Sequence, residues 1–133
     1  MGKILFVEDE EKIRDSCVRY LKLKGHQVRE ATNGQQAVTM AIKEPFDLVV
    51  MDVKMPKLDG ISACQQIRTS CPSTRVVLVT GYSSTEEIEQ ALEEGVVAYL
   101  RKPFTFEALS TLVDQMTAQD HDDQAQDTVG NES

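Results

Sequence analysis

Two periodicities alternate along this chain, and together they narrow its fold sharply. Short apolar runs at residues 4–7, 48–51, 76–79 and 97–100, with a weaker one at 27–31, are separated by stretches whose apolar residues return every three or four positions. Ile13, Cys17 and Leu21 mark a first helix, and Ala37, Val38, Ala41 and Ile42 a second. Ile61, Cys64 and Ile67 mark a third, Ile88, Ala91 and Leu92 a fourth, and Phe106, Leu109, Val113 and Met116 a fifth. Gly25, Pro45 and Gly95 stand where helices should stop, while Asp59 and Ser84 stand where helices should be capped. Strands alternating with helices, and apolar without interruption, predict a parallel sheet covered on both faces. Right-handed crossovers make it a doubly wound α/β domain of five strands and five helices. Periodicity leaves the strand order open. Ligands of such a sheet bind beyond the carboxyl ends of its strands, where the strand order reverses.

A length of 133 residues suits one domain of this kind, with a core that needs no disulfide or metal. Cys17, Cys64 and Cys71 are odd in number and lack C-x-x-C spacing, which argues against a disulfide framework and for a reducing, cytoplasmic setting. Cys17 and Cys64 fall on apolar helix faces and read as core. His26 and His121 lie far from the cysteines and from each other in sequence, so zinc lacks a ligand set. No apolar run approaches the roughly 20 residues that span a bilayer, and the first residues lack a signal-peptide layout. Phe6 stands where a myristoylation motif after Gly2 wants Ser or Thr. The formal net charge of −8 argues against a nucleic-acid binder, which needs Lys and Arg. Five of the eight excess negative charges come from residues 119–133, where Asp120, Asp122, Asp123, Asp127 and Glu132 occur without a base. That segment reads as a disordered acidic tail, a frayed helical extension or the start of a linker, and residues 1–118 as the folded domain.

The residues just after the apolar runs are more telling. Glu8, Asp9 and Glu10 succeed the first, Asp52 the third, Thr80 and Gly81 the fourth, and Lys102 and Pro103 the last. A lone Asp after a strand is an ordinary turn residue. Neither capping nor solubility asks for a Lys and a Thr at matching strand ends. Converging carboxylates repel, raise one another's pKa and attract a hard cation. Mg²⁺ suits such an all-oxygen site. A carboxylate that attacks phosphorus gives an aspartyl-phosphate, whose charge an ammonium and a hydroxyl can hold.

These segments, ILFVEDE (4–10), LVVMDVKMPKLDG (48–60), VVLVTGY (76–82) and AYLRKPF (98–104), resemble those of a bacterial response-regulator receiver domain of two-component signalling, over about residues 2–118. The resemblance implies the flavodoxin-like strand order 2-1-3-4-5. It implies that Asp52 is the phospho-acceptor, within a D-x-x-M-P-x-x-D-G pattern filled by Asp52, Met55, Pro56, Asp59 and Gly60. Asp9 then matches the principal Mg²⁺ ligand, with Glu8 beside it and the backbone carbonyl of Lys54 completing the protein ligands. Lys102 matches the lysine that pairs with the acceptor, its bond to Pro103 expected to be cis. Thr80 matches the switch hydroxyl and Tyr99 the aromatic that turns inward with it. Glu8 replaces a commoner Asp, and Gly81 a commoner Ala, next to Lys54 and Tyr82 in the region that tunes phosphoryl lifetime.

The implied partners are a histidine kinase or histidine phosphotransfer protein, and an output protein or domain met through the fourth helix, fifth strand and fifth helix. Glu86, Glu87, Glu89, Glu93 and Glu94 give the fourth helix an acidic face. Homodimerisation through the same face fits the resemblance; nucleic-acid or membrane binding by this domain does not. No organic cofactor is implied, and the catalysis expected is the domain's own phosphorylation and autodephosphorylation. The main rival is a pseudo-receiver, an interaction module that takes no phosphate. A haloacid-dehalogenase-like phosphatase wants D-x-D, but Lys54 stands two after Asp52. A flavodoxin wants a Ser/Thr-rich phosphate loop where Glu8, Asp9 and Glu10 stand.

Overall fold

The computed structural model describes residues 2–53, 60–81, 85–93 and 95–129, with the side chains of 85, 87–88 and 118–129 outside that description. Strands β1 (Lys3–Val7), β2 (Gln27–Ala31), β3 (Leu48–Asp52), β4 (Arg75–Thr80) and β5 (Ala98–Arg101) alternate with helices α1 (Glu11–Leu23), α2 (Gly34–Lys43), α3 (Gly60–Ser70), α4 (Thr85–Glu93) and α5 (Phe106–Val129). The strands form one parallel sheet in the order β2-β1-β3-β4-β5. The order reverses beside β1, so the ends of β1 and β3 flank the crevice where such folds bind ligands.

Side chains alternate strictly between two cores. Ile4 and Phe6, Leu48 and Val50, and Val77 and Val79 pack with Cys17, Val18 and Leu21 of α1 and Leu109, Val113 and Met116 of α5. Leu5 and Val7, Val49 and Met51, and Val76 and Leu78 pack with Ala37, Val38 and Ala41 of α2 and Ala63, Cys64 and Ile67 of α3. The three central strands are apolar on both faces for this reason. The edges differ: β2 buries only Val28 and Ala31, and β5 buries no residue fully. An edge strand covers less apolar surface, hence the weak run at 27–31. The run at 97–100 is displaced by one: Val97 donates its N–H to the Val76 carbonyl at 2.9 Å but stays exposed, and the ladder begins at Ala98.

Three apolar markers of helix faces prove solvent-facing; one, Phe106 at the start of α5, is 44% exposed and stacks on Tyr20 of α1. Ile42 is 58% and Leu92 44% exposed, because Ala41 and Ala91, one position earlier on each helix, occupy the buried stripe. Gly25 and Gly95 follow α1 and α4 with φ of +100° and +107°, a backbone region that glycine enters without a Cβ penalty. Pro45 lies two residues past the end of α2. The candidate caps Asp59 and Ser84 lie outside the described residues.

Asn33 caps α2: its side-chain oxygen accepts the Gln36 N–H at 2.8 Å, and the Gln36 side chain in turn accepts the Thr32 N–H at 2.6 Å. Asn33→Ala should therefore cost about 1 kcal/mol. The check is a lower urea midpoint at unchanged denaturant slope; an unmoved midpoint would show that the cap contributes nothing.

Candidate metal and acceptor site

The sheet gathers the polar residues by parity. Glu8 continues the side of Ile4 and Phe6 on the α1–α5 face, Asp52 that of Leu48 and Val50, and Lys102 that of Ala98 and Leu100. Val7 is in register with Met51, which sets Glu8 beside Asp52 at the ends of neighbouring strands. Both carboxylates are nearly sealed from solvent, with Glu8 2% and Asp52 6% exposed. Lys102 lies between them. Its Nζ donates to Asp52 Oδ2 at 2.9 Å and to Glu8 Oε1 at 3.3 Å.

Two buried carboxylates share one ammonium, so charge is not balanced. Burial, and then the Asp52 charge, push the Glu8 carboxyl up from 4.5 to about 7, against the pull of Lys102 and of the Glu10 N–H. Burial alone would lower the Lys102 pKa, but the hydrogen bond and charge of Asp52, joined by those of Glu8, outweigh it and raise it. Cys17 lies within reach of the same field. Burial, with the Glu8 charge adding to it, pushes its thiol up to about 11, so Cys17 is a protonated core residue and no nucleophile.

Asp9 completes the acidic set from the solvent side. One carboxylate oxygen from each of Glu8, Asp9 and Asp52 can be chosen so that all lie within 4.8 Å of one another. Three converging oxygens, two of them buried, fit a hard divalent cation that keeps some of its water. Burial first, and then the Asp52 charge, penalise an ionised Glu8, and a bound cation would offset that penalty.

The other expected residues are drawn toward this cluster to different degrees. Thr80 ends β4 and is buried; its carbonyl accepts the Lys102 N–H at 2.8 Å. Gly81 lies against the Lys102 stem, where an added Cβ would meet Lys102 Cβ at 3.7 Å and Cδ at 3.8 Å. Tyr99 is 43% exposed on β5 and is not drawn into the cluster. The Lys102–Pro103 bond is cis. Lys54, Met55, Pro56, Asp59 and Tyr82 lie outside the described residues, while Gly60 opens α3 with its N–H bonded to the Val53 carbonyl at 2.9 Å. A groove of about 730 Å³ opens beside Lys102, lined by Ile13 and Cys17 of α1 and by Pro103, Phe104 and Phe106.

One contact at the site left no trace in the sequence pattern. The Arg14 guanidinium donates to the backbone carbonyl of Glu8 at 2.9 Å and to Glu30 of β2 at 3.1 Å. Arg14 reads as one more helix-surface base, and a bond to main chain has no side-chain spacing that would reveal it.

Among the described residues no helix is long and apolar enough to cross a membrane. The family model for the response regulator receiver domain matches residues 4–114. Response regulator MprA of Mycobacterium leprae is 32% identical over 127 residues, covering 96% of this chain and 56% of that protein. Transcriptional regulatory protein PdtaR of Mycobacterium tuberculosis is 41% identical over 108 residues, covering 80% of this chain and 52% of that protein. The chain thus spans about half the length of these relatives. A crystal structure of a response regulator receiver domain protein from Clostridium thermocellum superposes with a TM-score of 0.85 at 28% identity, over 91% of this chain and 98% of that one. A doubly wound sheet in the order 2-1-3-4-5, an acidic cluster at its switch point and a family match over most of the chain agree: this chain belongs to the response regulator receiver domains, signalling modules of two-component systems.

Proposed function

We propose that the domain accepts a phosphoryl group on Asp52 from the phosphohistidine of a histidine kinase or histidine phosphotransfer protein. The observation that carries this reading is the buried Asp52 carboxylate held by Lys102 at 2.9 Å beside a second buried carboxylate, Glu8, that shares the same ammonium at 3.3 Å. An Asp52 oxygen attacks phosphorus, the P–N bond to the imidazole breaks, and the imidazole takes up a proton as it leaves. Glu8, directly or through water, Asp9 and Asp52, with the Lys54 carbonyl that the resemblance implies, would hold Mg²⁺, which would supply charge neutralisation for the transferring group. Lys102 stays with the phosphoryl oxygens, and the Thr80 hydroxyl closes on them.

The phosphoryl group adds about −1.5 to −2 charges. It biases the domain between two packings: Thr80 moves to the phosphoryl group, Tyr99 turns inward with it, and the surface of α4, β5 and α5 alters. That surface already exposes Leu92, Val97 and Tyr99, together with Glu86, Glu89 and Glu93, a mixed apolar and acidic face suited to an output partner or a second copy. The receiver unit comprises residues 1–118 and works in the cytoplasm; 119–133 are an acidic tail or the start of a linker, although α5 continues past that boundary to Val129. The domain catalyses its own phosphorylation and dephosphorylation and no reaction on a separate substrate.

Incubation with acetyl phosphate tests this. The domain should gain one phosphoryl group in Mg²⁺, none with the metal chelated, and lose it again on standing. Absence of uptake from acetyl phosphate and from a phosphohistidine donor alike would leave only the fold and favour a pseudo-receiver.

A further inference from the structure

The two residues that end β1 are held very differently. The Glu8 side chain is fixed at both oxygens, by Lys102 at 3.3 Å and by the Glu10 N–H at 3.2 Å, and its own N–H is bonded to the Ala31 carbonyl at 3.1 Å. Among the described residues no hydrogen bond or ion pair holds the Asp9 carboxylate, which is exposed. With no such restraint, the positions its oxygens can reach depend on its backbone, and so on the peptide group that joins Glu8 to Asp9. The oxygen of that peptide is the one Arg14 grips at 2.9 Å.

Arg14 is suited to the task. Its side chain is only 13% exposed, and its Nε is anchored on Glu30 at 3.1 Å, so the guanidinium plane is fixed from the neighbouring strand. Its own N–H closes the first helical turn on the Glu10 carbonyl at 3.0 Å. The side chain of Glu10, at the N-cap of α1, makes no capping bond, so the turn between β1 and α1 depends on such contacts for its shape. A planar fork can hold a carbonyl and a carboxylate at once, which an ammonium does less well. Mg²⁺ demands near-ideal octahedral geometry, so a ligand whose backbone swings by a fraction of an ångström loses affinity.

We propose that Arg14 is a positioning residue for divalent-cation binding: it fixes the Glu8–Asp9 peptide and thereby aims the Asp9 carboxylate, while Glu30 fixes Arg14. This rests on the reading of Glu8, Asp9 and Asp52 as a Mg²⁺ site. It acts through geometry, since Arg14 touches the main chain of Glu8 and not its carboxylate.

The test is a Mg²⁺ titration of the full chain followed by backbone amide resonances. Arg14→Met should weaken Mg²⁺ binding about tenfold, in the range found when a partner of a metal ligand is removed. Arg14→Lys, which keeps one donor and loses the fork, should fall between it and the parent. A purely structural arginine would lower the metal-free melting point and leave the dissociation constant alone. Should Arg14→Met fail to fold, Arg14→Lys decides. Mg²⁺ binding within twofold of the parent in every folded Arg14 variant overturns the proposal. Asp9→Asn separates the two readings: undiminished binding there overturns the metal site itself, and the positioning role with it.

Discussion

Asp52→Asn is expected to take up no phosphoryl group from acetyl phosphate or a phosphohistidine donor, under conditions where the parent is fully labelled. The substitution keeps the volume of the side chain. It removes the anionic oxygen that attacks phosphorus, and an amide is too weak a nucleophile to replace it. The fold should survive, because Lys102 still reaches Glu8 at 3.3 Å and the ammonium is not left without a carboxylate. The variant also loses one of the causes that raise Glu8, so Glu8 should ionise more readily there. Intact mass and far-UV circular dichroism, measured on one sample, check both halves. Labelling of Asp52→Asn at the parental level would remove Asp52 from its role, and peptide mapping would then show which carboxylate carries the group.

The metal-free domain should lose stability as pH rises from 4.5 to about 7, and Mg²⁺ should return it. The Glu8 carboxyl ionises near 4.5 in the unfolded chain and near 7 in the folded one, chiefly through burial. Below 4.5 both states hold the proton and Glu8 contributes nothing. Between the two values the folded state binds more proton, so stability falls with pH, and above about 7 the loss is complete. A cation bound by the ionised carboxylates acts in the opposite sense. At one hundred times its dissociation constant it should add about 2.7 kcal/mol at neutral pH. Urea unfolding at stepped pH, with chelator and with Mg²⁺, measures both. Glu8→Gln should flatten the metal-free slope, and Asp9→Ala should lose the Mg²⁺ increment. Metal-free stability that stays level or climbs across this window would contradict the buried carboxylate pair as described.

Much of this architecture was legible in the residue pattern, for a physical reason. A parallel strand covered on both faces must be apolar at every position, so its end is announced by the first charge, and the charges at the ends of β1 and β3 are the site residues Glu8 and Asp52. Lys102 was legible less directly, because the first charge after that run is Arg101, which still belongs to β5. The edge strands were less so: β5 is only half covered, and its start cannot be told from Val97 by hydropathy. Ile42 and Leu92 misled because an alanine beside each already satisfies the buried stripe. Contacts between a side chain and distant backbone were invisible. Arg14 on the Glu8 carbonyl is one. His26 is another: it is buried, accepts the Gly2 N–H at 3.2 Å through Nδ1 and bonds Asp114 at 3.3 Å across 88 positions of sequence. The strand order, too, came from resemblance, since alternation constrains the elements and not their neighbours.

The order of the strands also acts as a ruler. Glu8 and Asp52 stand one strand spacing apart, about 4.8 Å, but β4 separates β3 from β5, so Lys102 must span two. Its four-carbon stem is the bridge, and the end of β4 is the pier beneath it, with Gly81 lying against the stem and the Thr80 carbonyl holding the Lys102 N–H. Nothing at positions 80 and 81 needs to touch the carboxylate in order to act on it. Whatever lifts or lowers the pier is delivered through the span to the ammonium, and from there to Asp52.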